Sequence, residues 1–165
     1  MIRSLTLLAA LLISSALFAE DIRVPAGSGN LATAIAGAKP GDVLLLESGR
    51  YEGAIVIDRP LSITGPSDAI IDGLGQGTVV TIDASDVTIK GVTVTGSGLD
   101  STGLDAGIKI LRKADRAQID GNRVLGNLHG IDDKLCGRRI GCAFLNKVGI
   151  QFYLCKGPCA QQLET

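Results

Sequence analysis

The segment Val87-Thr88-Ile89-Lys90-Gly91-Val92-Thr93-Val94 determines the fold class of this chain. Apolar and polar residues alternate on both sides of Gly91, which is the period of a β-strand. Gly91 allows the chain to turn between two short strands. The side chains predicted to point inward are those of Val87, Ile89, Val92 and Val94. Those predicted to face water are Thr88, Lys90, Thr93 and Thr95.

The same pattern recurs along the chain. Leu61–Gly65 precedes the segment Val87–Gly91 by one repeat, and Ala117–Gly121 follows it by a slightly longer one. A second series contains Val80, Ile108 and Ile131. A unit of roughly 22–26 residues that cannot bury its apolar side alone has to stack on its neighbours. We therefore predict an all-β fold, a right-handed parallel β-helix of about four coils, because a sandwich of hairpins needs no such recurring unit.

Nine short apolar runs are bounded by Gly, Asp, Pro or Ser and are predicted to be strands. The polar, glycine-rich stretch Gly96–Asp105 lies between two of them and is predicted to be an inserted loop. The nine runs are Val43–Leu46, Ala54–Ile57, Leu61–Ile63, Ala69–Ile71, Val79–Ile82, Val87–Ile89, Val92–Val94, Ile108–Ile110 and Gln118–Ile119.

One short helix is predicted before the strands, where it would cover the first coil. Asn30 is a suitable N-cap, and Pro40-Gly41 cannot continue a helix. The apolar side of this helix consists of Leu31, Ala34, Ile35 and Ala38, at helical spacing.

The first residues have the features of a signal peptide. Arg3 precedes the apolar run Leu5–Phe18, and small Ala19 stands before Glu20. Cleavage after Ala19 predicts a periplasmic protein with no membrane insertion after removal of the leader. About 145 residues remain, enough for one domain.

Composition and charge indicate which residues build the core and which class of partner is disfavoured. Glycine occurs 22 times, aromatic residues make up 3% and tryptophan is absent, so Val, Ile, Leu and Ala have to build the core. The net charge of −1 hides an acidic main body followed by a basic tail. An acidic body argues against nucleic acid as a partner, because phosphate contacts need a basic surface.

The pattern of alternation stops at residue 133, and all four cysteines follow. The chain is thus divided into a signal peptide (1–19), a β-helix fragment with its N-terminal lid (20–133) and an atypical tail (134–165). A shifted reading frame or truncated gene is one explanation of the tail, and a genuine C-terminal cap is the other. The tail's charged residues are Lys134, Arg138, Arg139, Lys147, Lys156 and Glu164.

The cysteines are candidates for disulfides. In an oxidising compartment two disulfides can form among Cys136, Cys142, Cys155 and Cys159. Disulfides or incidental cysteines are together favoured over a metal site, because the spacing is not that of zinc proteins. The weak candidates for metal binding are His129, Asp132, Cys155 and Cys159, and Asp133 is close to the first two. A turn-facing or exposed position is the preferred interpretation of His129, the only histidine.

No catalytic constellation is found. Asp100 and Asp105 resemble the acidic groups of polysaccharide-degrading β-helices, but two carboxylates are too few for a calcium site, which gathers six or more oxygens. Lys109 and Arg112 are the nearest candidates for proton abstraction and are equally compatible with outward-facing positions of a coil. We therefore expect a protein that is not an enzyme.

Two asparagines have a predicted structural role. Asn122 occupies the position that Val92 holds one coil earlier, and we expect it and Asn127 to bond buried turn backbone.

Several motifs resemble the opening of a NosD-type protein. They are Leu31–Ile35, Ala38–Asp42, Gly49-Arg50-Tyr51, Pro60–Gly65, and Ile71-Asp72-Gly73 followed by Gly75-Gln76-Gly77-Thr78-Val79-Val80. The resemblance covers roughly residues 20–131 and implies the pectin-lyase-like β-helix. Members of this family are much longer, so the chain corresponds to their first coils and is interpreted as a truncated copy.

This resemblance implies a function. It predicts a periplasmic accessory protein that works with an ABC transporter to mature the copper centre of nitrous oxide reductase. Copper as a cofactor, and the transporter and the reductase as partners, are implied by the resemblance alone, and no catalytic residue transfers with it. The alternatives are a polysaccharide lyase or epimerase, which needs charged residues on successive coils, and a β-helical scaffold without chemistry.

Overall fold

The computed structural model describes residues 19–133 and 141–143. The predicted signal peptide before Ala19, and Cys136, Cys155 and Cys159, lie outside this part. The elements are β1 (Asp21–Val24), α1 (Asn30–Gly37), β2 (Val43–Leu46), β3 (Gly49–Glu52), β4 (Ile55–Ile57), β5 (Ser62–Thr64), β6 (Ala69–Asp72), β7 (Val80–Ile82), β8 (Thr88–Lys90), β9 (Thr93–Thr95), β10 (Ala106–Ile110), β11 (Gln118–Asp120), β12 (Arg123–Val124), β13 (His129–Asp133) and β14 (Gly141–Ala143).

The strands form three parallel sheets. Sheet A has the order β1-β2-β5-β8-β11-β14, sheet B the order β3-β6-β9-β12 and sheet C the order β4-β7-β10-β13. Each coil contributes one strand to each sheet, so β2 to β13 make four full coils, and β1 and β14 extend sheet A at its two ends. The predicted right-handed parallel β-helix is confirmed.

The core consists of columns of aliphatic side chains from successive coils. Leu44, Ile63, Ile89 and Ile119 occupy one register in sheet A and are fully buried. The predicted inward positions of Val87, Val92 and Val94 are confirmed in the same way. Stacking of this kind removes each side chain from water through contacts with the coils on either side.

One prediction within the deciding segment was wrong. Thr93, expected to face water, is only 7% exposed, and its hydroxyl donates to the carbonyl of Ser67 at 2.7 Å. The outward side of sheet B is covered here by the turn of the preceding coil, which strand alternation alone does not reveal.

The nine predicted strands are all present within two residues of their predicted bounds. Strand β13 was expected only through Ile131 of the second repeat series and was not among the nine runs. Three further strands of the described body were missed: β1 and β3, which carry charged residues at alternate positions, and β12, which is very short. Strand β14 lies in the segment where the repeat was expected to have ended, and it pairs with β11.

The helix α1 covers the first coil, as predicted, with Leu31, Ile35 and Ala38 buried. The predicted cap was wrong, because Gly29 occupies the N-cap position with a left-handed φ of 73°. The side chain of Asn30 instead donates to the carbonyls of Pro25 and Ala26, both at 3.2 Å.

No helix within residues 19–133 or 141–143 has the length and apolar character needed to cross a membrane.

Candidate functional site

Two corners of the β-helix differ in construction. The loop side is formed by residues 73–79 and 96–105, which connect sheet B to sheet C in the second and third coils. The turn side is formed by residues 83–87 and 111–117, which connect sheet C to sheet A. Loops on a rigid scaffold carry function more often than the scaffold does, so the loop side is the first candidate for a functional site.

Glycines join the two loops of the loop side through their backbones. The N–H of Gly75 donates to the carbonyl of Gly96 at 2.8 Å, and that of Gly98 donates to the carbonyl of Gly77 at 2.8 Å. A Cβ atom on Gly98 would lie 2.6 Å from the Gly77 nitrogen, and one on Gly73 would lie 2.7 Å from the Gly96 oxygen. The alternating glycines of the two loops therefore permit a direct backbone contact that no other residue allows.

The carboxylates of the longer loop are used to close the loop on itself. One oxygen of Asp100 accepts the N–H of Thr102 at 2.9 Å, and one oxygen of Asp105 accepts the N–H of Asp100 at 2.9 Å. The ammonium of Lys109, on the outward face of β10, donates to the carbonyl of Gly103 at 2.9 Å. These bonds give the predicted acidic residues a structural role.

Asp72 and Arg50 form the base of the loop side and were not predicted. Asp72 is 7% exposed, and one of its oxygens accepts the N–H of Leu74 at 2.8 Å, while the other pairs with the Arg50 guanidinium from the preceding coil. A Cβ atom on Gly96 would overlap the Asp72 carboxylate. The motifs Gly49-Arg50-Tyr51 and Ile71-Asp72-Gly73, about one coil apart, were the available signal for this pair.

The two asparagines bond buried backbone, as predicted. Asn127 accepts the N–H of Ser97 at 3.0 Å and donates to the carbonyl of Val94 at 3.0 Å. Asn122 accepts the N–H of Val92 at 3.1 Å and donates to the carbonyl of Ile89 at 2.7 Å. Asn127 thus fixes the start of the longer loop from the coil that follows.

The loop side also exposes apolar side chains. Leu74 is 53% and Leu99 is 83% exposed, and each belongs to one of the two loops. Leu74 has a φ of 57°, and Leu104 in the longer loop has a φ of 55°. A leucine in the left-handed region is strained by about 1–2 kcal/mol. Asp86 and Arg116 on the turn side have the same backbone conformation, with φ values of 57° and 58°, so this strain does not distinguish the two corners.

The turn side is held together by opposite charges on successive coils. The guanidinium of Arg116 donates to Asp86 at 2.6 Å, and the ammonium of Lys113 lies 3.4 Å from Asp83. Hydrogen bonding to Arg116, together with its charge, holds the pKa of Asp86 below its usual value. Arg112 is exposed in this corner, so the fold does not bring it to Asp100 and Asp105.

The metal candidates are dispersed as far as the structure describes them. His129 and Asp132 both lie in β13, where strand alternation places them on opposite faces. Within residues 19–133 and 141–143 no group of three or more His, Cys, Asp or Glu side chains is close enough to hold a metal ion. The disulfides and the metal role of Cys155 and Cys159 stay predictions.

The fold defines the class of protein: a pectin-lyase-like parallel β-helix, here with unequal loops on one corner. Among curated proteins the chain is similar to the "Probable ABC transporter binding protein NosD" of Stutzerimonas stutzeri and of Pseudomonas aeruginosa, at 37% identity over 86 residues in each case. A further protein of that name from Pseudomonas aeruginosa is 41% identical over 66 residues. The resemblance to NosD-type proteins is confirmed.

The coverage of these relatives is partial. The 86 residues are 52% of this chain and 20% of the first two relatives, and the 66 residues are 40% of this chain and 61% of the third. The chain therefore spans about a fifth of the length of the first two. No protein-family model matches it.

One solved structure gives a comparison of the fold. The PL6-family alginate lyase AlyGC is similar over 62% of this chain and 15% of its own, with a TM-score of 0.51 and 25% sequence identity. The relatives' name does not denote an enzyme, whereas the name of this structure does.

Proposed function

We propose that the chain is an exported NosD-like accessory protein, which works with an ABC transporter in maturing the copper centre of nitrous oxide reductase. The observation that carries this proposal is the 37% identity, over half of the chain, to proteins named as probable ABC transporter binding proteins. Export through residues 1–19 would bring the β-helix to the periplasm, where the reductase is matured.

The chemistry of the loop side supports a binding role. Asp100 and Asp105 are engaged in closing their own loop, so they are poorly placed to abstract or donate a substrate proton. Leu74 and Leu99 face solvent instead. Exposed apolar side chains are available for a contact with another protein, and we propose that the transporter contacts the loop side through these two leucines.

The proposal is tested in a host that lacks its own NosD protein. Because the chain spans a fifth of the longer relatives, residues 20–133 replace the matching coils of a full-length NosD, and the full chain is expressed separately. We expect the chimera to restore copper loading and nitrous oxide reduction. A chimera that is exported and folded, yet leaves the reductase without its copper centre, would refute the proposal.

A matched variant tests the loop side within the same chimera. Leu74→Asn together with Leu99→Ser removes both exposed leucines, and Asn tolerates the left-handed φ at residue 74. We expect loss of copper loading with an unchanged circular dichroism spectrum. Val56→Ser, which removes a third exposed apolar side chain from β4 at 58% exposure, is the control and should have no effect.

A second function, polysaccharide cleavage by a lyase, is supported by the similarity to an alginate lyase. It is tested by incubating the full chain with alginate and following the ultraviolet absorbance of the unsaturated product. Our proposal predicts no increase over a protein-free sample. An increase proportional to protein concentration would favour the lyase.

A further inference from the structure

The three sheets begin differently at the first coil. In sheet A, β1 pairs with the outer edge of β2. In sheet B, the N–H of Gly27 donates to the carbonyl of Arg50 in β3 at 2.9 Å. The N–H of Gly29 donates to the carbonyl of Glu52 in the same strand at 3.4 Å. In sheet C, no strand of residues 19–133 or 141–143 pairs with the outer edge of β4. The first coil therefore has one open strand edge, in sheet C.

The pairing of β4 with β7 shows which backbone groups lie at this edge. The N–H of Ile55 donates to the carbonyl of Val79 at 2.8 Å. The N–H of Asp83 donates to the carbonyl of Ile57 at 2.9 Å. Successive residues of a strand direct their backbone groups to opposite edges. The N–H and the carbonyl of Val56, between these two residues, are therefore directed away from β7 and towards the open edge.

A groove lies beside this edge, with α1 as its other wall. Its volume is about 180 Å³, and its lining includes Ala32 and Ala36 of α1 together with residues 54–56. Ala32 and Ala36 are exposed and lie one helical turn apart. Their small side chains leave space between α1 and β4. A hydrophobic strand edge that is neither charged nor covered is a template for pairing with another strand.

The charged residues of the groove neutralise each other. Asp58 and Arg59 complete its lining, and the Nε of Arg59 donates to Asp58 at 2.8 Å. The Nη1 of Arg59 donates to the carbonyl of Ala38, at the end of α1, at 2.9 Å. The pair leaves the lining of the groove without net charge. A ligand that matches this groove is therefore uncharged and is bound through its backbone.

We propose that the groove between α1 and β4 binds an extended, uncharged, apolar segment of another protein, which adds to sheet C as a strand. Only an extended backbone offers an acceptor to the N–H of Val56 and a donor to its carbonyl along one edge. Because α1 already covers the core at this end, a single strand fits beside β4 and a further coil does not. This inference is independent of the proposed function.

The first test uses a peptide that copies β7, the strand that β4 pairs with on its other edge. The probe is acetyl-Thr-Val-Val-Thr-Ile-amide, the sequence of residues 78–82. In nuclear magnetic resonance spectra of the full chain, the amides of Val56 and Asp58 should shift. At saturating peptide they should exchange with solvent about tenfold more slowly. No change at millimolar peptide, or changes confined to another strand edge such as that of β13, would overturn the proposal.

A substitution at Val56 tests the strand edge itself. Val56→Pro removes the N–H at the open edge and leaves the bonds to β7, which come from Ile55 and Ile57. We expect the affinity for the peptide to fall about tenfold or more. Val56→Thr keeps both the N–H and the branched side chain and should bind as the parent does. The amides of Ile63 and Ile89 report whether each variant is folded. Equal affinities of the two folded variants would contradict pairing at this edge.

A second substitution fills the groove from α1 and leaves β4 unchanged. Ala36→Lys places a long side chain in the groove, and we expect it to abolish peptide binding. Thr33→Lys, at an exposed position of α1 outside the groove, adds the same charge and should have no effect. Binding that survives Ala36→Lys would overturn the proposal. A dimer of the parent chain that Ala36→Lys converts to monomers, seen by analytical ultracentrifugation, would assign the groove to a second copy and overturn it as well.

Discussion

The loop side and the turn side connect the same coils by different means. On the turn side, Arg116 and Lys113 of one coil pair with Asp86 and Asp83 of the coil before. On the loop side, glycine backbones bond directly to each other, and the charged residues support the loops from within. Substitution of a residue in an exposed ion pair costs little stability, because water solvates the remaining charge. Substitution of a glycine whose backbone contacts another loop costs more, because the added side chain has no space. The loop side thus combines a direct backbone contact between glycines with two exposed leucine side chains.

The largest effect is expected where a side chain is forced between the two loops. Gly96→Ala would add a left-handed alanine and press its Cβ against the Asp72 carboxylate, for a total cost of about 2–5 kcal/mol. Gly121→Ala has a similar φ of 62° but no atom within 4 Å, so it should cost only about 1–2 kcal/mol. Denaturant unfolding followed by circular dichroism measures both. Equal losses of unfolding free energy in the two variants would show that the close approach of Gly96 to Asp72 does not restrict residue 96.

A smaller loss is expected on removal of the bonds that fix the longer loop. Asn127→Ala leaves the buried N–H of Ser97 without its partner and removes one of the two hydrogen bonds that the Val94 carbonyl accepts, at about 1–3 kcal/mol. Arg123→Ala, an exposed neighbour in β12, is the control and should change stability by less than about 0.5 kcal/mol. The loop amides after Ser97 should also exchange faster in the asparagine variant. If only the global stability changes, Asn127 supports the coil and not the loop.

The sequence predicted the coils better than it predicted the loop side. Strand positions such as Ile63, Ile89 and Ile119 follow from alternation and from a repeated glycine, both of which are local signals. The Arg50–Asp72 pair depends on which residues of two coils stand opposite each other, and a variable coil length hides this register. The inserted loop was located, but its contact with the glycines of the shorter loop involves only backbone and leaves no side-chain pattern.

Protonation of Asp86 at acid pH should weaken its ion pair with Arg116 on the turn side and so lower the stability of the fold. Because Arg116 lowers the pKa of Asp86 below that of the unfolded chain, the pair stabilises the fold above about pH 4, and this contribution is lost as the pH falls through the folded-state pKa. Asp86→Asn should therefore flatten part of the acid dependence of the melting temperature. Both partners are largely exposed, so high salt should reduce the difference between the proteins. Identical acid profiles at low salt would contradict a role for this pair.

The smallest effect on stability, and the sharpest separation of fold from function, is expected at Leu74. Its side chain is 53% exposed, so its removal costs little apolar contact, and Asn adopts the left-handed backbone more readily than Leu. Leu74→Asn should leave the unfolding free energy within about 0.5 kcal/mol of the parent protein. Retention of the transporter component on the immobilised chain should nevertheless fall, because the exposed leucine is the contact that we assign to it. Unchanged retention with unchanged stability would remove Leu74 from the binding surface and leave its strained φ without a functional reason.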